Sequence, residues 1–218
     1  MFHIIELSVP LLMQGILTTI EISVLAILLA AVLGGIVGLG YLSENRIIKT
    51  IAAVYIKIFR CTPFMVQIYI VYYGIPGLGI KMPAFWTGMI VLGMYTAAYV
   101  AVILESGIRS LPKGQNEAAI AMGMPYFMRL RRILLPQTLS MIIPPLTGQF
   151  IQTVKDSSIL SIITVSELTM MTKEAIGVTF SPIQVYLCTA VFYWVLNLVI
   201  EYISKRIERK SYARRSMI

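Results

Sequence analysis

Apolar residues in this chain come in long unbroken blocks, not in the alternation of a half-buried strand. Five blocks, at about 11–41, 52–75, 84–108, 134–156 and 183–203, each reach the roughly 20 residues that a helix needs to cross a bilayer. They predict an all-α membrane protein, one domain over 1–218, with about five transmembrane helices. A soluble fold would leave those helices apolar all round, with no face for water. The stretch 157–182 holds Ile159, Leu160, Ile162 and Ile163 but lacks the apolar length of a full span. It reads as a half-span or a re-entrant segment lying against the bundle. Between the third and fourth blocks, 109–136 is a polar, basic island.

Composition agrees. Hydrophobic residues make up 58% of the chain and charged ones 13%, against about half and a quarter in average soluble domains. The formal net charge of +8 would in a soluble protein point to nucleic acid. Here the cations flank apolar blocks, and neither zinc-ligand spacing nor an aromatic-rich basic sheet accompanies them, so no nucleic-acid partner is expected.

The cations set topology instead. Arg46, Lys49, Arg109, Lys113, Arg129, Arg131, Arg132, Lys205, Arg206, Arg209, Lys210, Arg214 and Arg215 fall in one set of loops; only Lys81 and Lys173 fall in the other. The positive-inside rule puts the first set in the cytoplasm, with the N-terminus outside and the C-terminus inside, as five spans require. The first 15 residues show neither a basic stretch nor a cleavage site, so the first block is expected to stay in the membrane. Cys61 and Cys188 lie in apolar blocks and are expected as free thiols. His3, the only histidine, cannot build a metal site, and none is expected. Gly34 and Gly38 share one face of the first span, which fits close packing within the chain or a dimer seam.

In the island, Glu117-Ala118-Ala119 begins a helix-forming run with Gln115 and Asn116 near its start. Gly123 and then Pro125 end it after about two turns. A helix stopped in this way, with Met122 at its end, can lie crosswise under the membrane. Arg129, Arg131 and Arg132 then anchor the start of the fourth span at the headgroups.

The order Glu117-Ala118-Ala119, three residues, Gly123, nine residues, Ile133-x-Leu135-Pro136 matches the EAA loop of ABC importer permeases at every fixed position. Further segments narrow the resemblance to permeases for polar amino acids. Arg60-Cys61-Thr62-Pro63-Phe64-Met65-Val66-Gln67 is similar to that branch's Arg-Gly-Thr-Pro-Leu-Leu-Val-Gln. Ala97-Ala98-Tyr99, Ile108, Ser110, Pro112-Lys113-Gly114-Gln115 and Val154-Lys155-Asp156-Ser157-Ser158-Ile159 also follow its pattern. Cys61 departs where the family has Gly, and Val102 and Glu105 where it commonly has Glu and Arg.

The resemblance implies a type I ABC importer permease in a bacterial inner membrane. Glu117, Ala118, Ala119, Met122, Gly123 and Pro125 would form the ATPase-coupling segment. Two ATP-binding subunits, a second permease protomer (a copy or a relative) and an extracytoplasmic solute-binding protein would be the partners. This chain carries no G-x-x-x-x-G-K-[ST] phosphate cradle, so it is not itself an enzyme; ATP and magnesium belong to the partner ATPase. The solute would be a small polar amino acid, the alternative being methionine or an amino-acid derivative.

Candidates for the solute pathway come from polar residues inside spans, which are costly in hydrocarbon and face a cavity or a partner. Gln149, Gln152, Thr153 and Asp156 fall on one helical face, one turn after Pro144-Pro145, whose missing donors are expected to kink the helix. Hydrogen bonding between helices is the alternative use of that stripe, and Asp156 could pair with Lys155. Thr96 and Tyr99 on the third span could line the same cavity. Arg60 could guard the pathway or pair with Glu105 or Glu21. Tyr193 and Asn197 form a fainter stripe that fits packing and a hydrogen bond. Ser157, Ser158 and Ser161 have no base beside them and carry no nucleophile chemistry. An intramembrane enzyme and a channel or structural protein without an ATPase are the competing classes; scattered ionisable residues oppose the first and the EAA match the second.

Overall fold

The computed structural model describes residues 2–215. The side chains of His3, Lys113, Asn116, Arg209, Lys210, Arg214 and Arg215 lie outside the described residues. Those described are largely helical and include no strand. The helices are α1 (Phe2–Tyr41), α2 (Arg46–Cys61), α3 (Phe64–Gly74), α4 (Ala84–Arg109), α5 (Lys113–Ala121), α6 (Tyr126–Arg129), α7 (Leu135–Asp156), α8 (Leu168–Thr179) and α9 (Pro182–Arg215). A 3-10 turn, Ile75–Leu78, follows α3; a π-helical turn, Leu130–Leu134, leads into α7; and a 3-10 stretch, Ser157–Ile163, continues from it.

Helix α1 is about 60 Å long at 1.5 Å per residue. One face repeats a buried residue every fourth position, Ile22, Ala26, Ala30, Gly34 and Gly38, and packs on α4. A Cβ on Gly34 would stand 2.7 Å from Val100 Cβ and 2.8 Å from the Ala97 carbonyl oxygen. A Cβ on Gly38 would stand 3.0 Å from the Ala101 carbonyl oxygen. Of the two uses that the Gly34–Gly38 spacing allows, the chain makes close packing within itself. The opposite face of α1, with Leu17, Ile20, Glu21, Val24 and Leu28, is exposed on the single chain.

Helix α4 is the central element, packed by α1, α7, α2 and α3. Its midpoint is nearly all buried, from Val91 to Ala101. The main core joins Ile22 and Ala26 of α1, Phe64 and Ile68 of α3, Val91 and Leu92 of α4, and Leu160 and Ile163 of the 3-10 stretch.

Two blocks differ from plain apolar helices. The block 52–75 is not one unbroken helix. Pro63 has no N–H to continue a helix and disfavours helical geometry at Thr62. The chain therefore breaks at Cys61, and α2 and the helix over Phe64–Leu78 meet at a bend of 103°. The other difference is one of polarity. Among the described residues three helices are long and apolar enough to cross a membrane, within Ile4–Tyr41, Ala84–Arg109 and Pro182–Arg206, and the bent pair reaches that length only when its two helices are taken together. Helix α7 matches the block 134–156 in extent, but Gln137, Gln149, Gln152, Lys155 and Asp156 make it too polar to meet the same measure. It packs on α4 and α9 and runs through Pro144 and Pro145 without interruption.

The stretch 157–182 is folded into the bundle. Its 3-10 part fills the core, and α8 packs on α1 and α9.

Candidate functional site

Two groups of candidate residues lie at different places on the bundle. The first is the island. Helix α5 ends as its sequence dictates. Gly123 adopts φ +72, the left-handed region open to glycine, and its N–H donates to the Ile120 carbonyl at 2.8 Å. Met124 N–H donates to the Ala119 carbonyl at 3.0 Å. This pair of bonds is a Schellman closure, which satisfies the last carbonyls of the helix and turns the chain away. Pro125 then caps α6. Ala119 is buried at the root of the segment; Glu117, Ala118, Met122, Gly123 and Pro125 are exposed. Beside them Ile120, Tyr126 and Phe127 expose apolar surface, Met122 at 80% and Phe127 at 72%. Gln137 of α7 donates to Gln115 of α5, tying the short helix to the longer one. A cavity of about 440 Å³ lies between Tyr126, Phe127 and Leu130 on one side and Leu39, Ser43 and Glu44 at the end of α1 on the other.

The second group lies where α2, α4 and α7 meet. Gln152 donates to Asp156 Oδ1 at 2.8 Å, on a partly exposed face of α7. Tyr99 and Tyr95 share a hydrogen bond of 3.1 Å. The Arg60 guanidinium stands over the Tyr99 ring, 5.1 Å from its centroid, a cation–π geometry. The Tyr95 hydroxyl lies in the field of both Asp156 and Arg60. One acid, one base, an amide and two phenols thus gather at one locus.

Thr96 and Thr153 are placed differently. Both are fully buried, and their hydroxyls are 3.0 Å apart. Thr153 also donates to the Gln149 carbonyl at 2.9 Å, so its proton is committed and Thr96 is the donor in the pair. These two residues join α4 to α7. Gln149 is half-buried on the same helix. The pairing of Arg60 with Glu105 or Glu21 does not occur. Glu105 is bridged by Arg109 one turn on, and Glu21 lies on the exposed face of α1.

A third polar group was not foreseen. Glu167 is fully buried at the start of α8 and accepts from Thr169 N–H at 2.9 Å, Met170 N–H at 2.8 Å and the Tyr193 hydroxyl of α9 at 3.0 Å. Thr19 of α1 accepts the Leu168 N–H at 3.0 Å, and Thr172 meets Thr189 at 2.7 Å. Each of these oxygens has a partner, so this is an N-cap and a clamp between helices. The only signal in the sequence is an acid opening a helix inside an apolar region. Tyr193 does form the hydrogen bond expected of it, and Asn197 donates to the Tyr193 carbonyl at 2.8 Å.

The chain is similar to known proteins over nearly its whole length. The family described as "Binding-protein-dependent transport system inner membrane component" matches residues 42–211. The arginine transport system permease protein ArtQ of Bacillus subtilis (strain 168) is 33% identical over 204 residues, 93% of each chain. The glutamine transport system permease protein GlnP of Escherichia coli (strain K12) is 32% identical over 205 residues, covering 93% of this chain and 94% of GlnP. A crystal structure of an amino acid ABC transporter with histidines superposes with a TM-score of 0.86 at 33% identity, covering 93% of this chain and 94% of that one.

Proposed function

The chain belongs to the family of binding-protein-dependent transport system inner membrane components, and we propose that it forms the translocation pathway of an ATP-driven importer of a small polar amino acid. The observation that carries this reading is the short helix α5, closed by Gly123 and running into α6, which together offer Glu117, Met122 and Phe127 to a partner. Two ATPase subunits dock through the two such helices of a permease pair, one on each protomer, and supply the ATP and magnesium chemistry. An extracytoplasmic binding protein delivers the solute. The chain is multi-pass in a bacterial inner membrane, with about five crossings, N-terminus outside and C-terminus inside.

A second permease protomer, a copy or a relative, covers the exposed face of α1. Glu21 supports this, since a carboxylate among Leu17, Ile20, Val24 and Leu28 is costly against lipid and tolerable against protein or a polar cavity. The cluster of Arg60, Tyr99, Gln152 and Asp156 lines the pathway, where a cation and an anion suit the two ends of a zwitterion. Thr96, Thr153 and Gln149 form the wall behind it. Closure of the ATPases moves α5 and switches the bundle between two states that the solute and ATP bias differently.

The test is purification in mild detergent with mass spectrometry of what accompanies the chain, followed by uptake of radiolabelled protein amino acids in proteoliposomes. A Walker-motif ATPase is expected to copurify. Glu117→Lys and Gly123→Val are expected to leave the chain in the membrane, release the ATPase and abolish uptake. Full uptake by those variants with the ATPase still bound would sink the coupling assignment.

A further inference from the structure

Pro63 deprives α2 of a donor. In an α-helix each N–H bonds the carbonyl four residues earlier. The residue four after Phe59 is Pro63, which has no N–H. The Phe59 carbonyl would then be an orphan at a bend of 103°. Gln67, in the first turn of α3 and only 8% exposed, reaches back over the break. Its Nε2 donates to the Phe59 carbonyl at 3.0 Å, the Thr62 carbonyl at 3.1 Å and Thr62 Oγ1 at 2.7 Å. Thr62 Oγ1 passes its own proton to the Ile58 carbonyl at 2.7 Å. One amide thus replaces the missing backbone donor and ties the last turn of α2 to the first turn of α3. The groove around it is lined by Ile58, Val66, Ile70, Val91 and Met94, which offer those carbonyls no other partner. Flipping the amide would set its oxygen against three acceptors, so its orientation is fixed.

Arg60 stands in the last turn of α2, three residues before Pro63, with its guanidinium over Tyr99. Where that guanidinium falls depends on the direction in which α2 meets the bend. We propose that Gln67 is a positioning residue, setting the angle between α2 and α3 and so holding Arg60 over Tyr99 for transport. This rests on the reading of the Arg60–Tyr99 cluster as part of the solute pathway.

The experiment is a double-mutant cycle on the complete transporter in proteoliposomes. Uptake of radiolabelled protein amino acids is measured for the unaltered chain, Gln67→Met, Arg60→Gln and the double variant, at matched incorporation. Gln67→Met is expected to lower uptake about tenfold where Arg60 is present, and no further where Arg60 is already Gln. An equal loss in both backgrounds makes Gln67 merely structural and overturns the proposal, as does no loss in Gln67→Met. Full uptake by Arg60→Gln alone is a different result: it removes Arg60 from the pathway, and the positioning role with it. Uptake of none of the amino acids by the unaltered complex overturns both readings. Should Gln67→Met fail to assemble, Thr62→Val removes one of the three acceptors and is expected to give the same non-additive pattern at smaller size.

Discussion

The packing of α1 on α4 can be tested one methyl group at a time. Gly34→Ala places a Cβ 2.7 Å from Val100 Cβ and 2.8 Å from the Ala97 carbonyl oxygen. Neither is the far end of a flexible side chain, so neither can swing away. Ordinary contact begins near 3.4 Å, and the two helices must part by more than half an ångström over a face that buries Ala30, Ala97 and Val100. Overpacking of this kind costs about 1–3 kcal/mol. For a chain of this size that lowers the melting temperature by roughly 2–12 °C. Gly35→Ala is the control, because its Cβ meets nothing within 4 Å. It gains helix propensity of at most about 1 kcal/mol. The assay is the loss of the monodisperse peak on size-exclusion chromatography after heating the assembled complex through a temperature series. Gly34→Ala is expected to melt lower than the unaltered chain, and Gly35→Ala at the same temperature or slightly higher. Equal stability of the two variants, or a loss confined to Gly35→Ala, would refute the assignment of the glycine face to α4.

Two further substitutions separate structural polar groups from those of the pathway. Thr153→Val removes the hydroxyl that joins Thr96 to the Gln149 carbonyl. It is expected to cost about 0.6–2 kcal/mol of stability while uptake stays within about twofold of normal; lost uptake at unchanged melting temperature would place Thr153 in contact with solute. Tyr193→Phe removes the hydroxyl that donates to Glu167, leaving the buried carboxylate with its two backbone donors. A loss of about 1.5–3 kcal/mol is expected, as for hydrogen bonds to charged groups, and an unshifted melting temperature would show that the clamp between α8 and α9 contributes little.

Apolar block length was enough to find α1, α4 and α9, because a span of that length and composition has few other fates. The segment proposed to couple to the ATPase was legible for a local reason: Glu117 to Pro125 folds by rules that act within two turns, a helix former closed by a glycine at φ +72. What escaped depends on contacts between distant residues. Pro63 can break a helix, but the apolar run on either side of it reads as one span, and the repair of the break by Gln67 is a tertiary contact. Glu167 stands 26 residues from Tyr193, its hydrogen-bond partner, and Thr19 lies 149 residues from Leu168, whose N–H it accepts. Polar residues buried in pairs follow from topology, not from spacing. The same holds for Arg60: two acids were plausible partners by charge, yet Glu105 is taken by Arg109 on its own helix, and the guanidinium finds the face of Tyr99 instead.

On the proposed reading, α7 joins the two ends of the mechanism. Gln137 in its first turns receives the motion of α5 through the bond to Gln115. Gln152, near its other end, lies about 22 Å further along at 1.5 Å per residue. A helix transmits such a displacement only where its own hydrogen bonds are intact. Pro144 and Pro145 remove two successive donors, so the carbonyls of Ser140 and Met141 have no partner four residues on. The middle of α7 is therefore its most compliant part. Its far end is held to α4 by Thr96 and Thr153, and α4 is held to α1 at backbone distance by Gly34 and Gly38. With that end fixed, movement of α5 bends α7 at the prolines before it can slide the helix. Gln152 and Asp156 then turn relative to Tyr99 of α4. Opening and closing the pathway is in this view a rotation of one polar face.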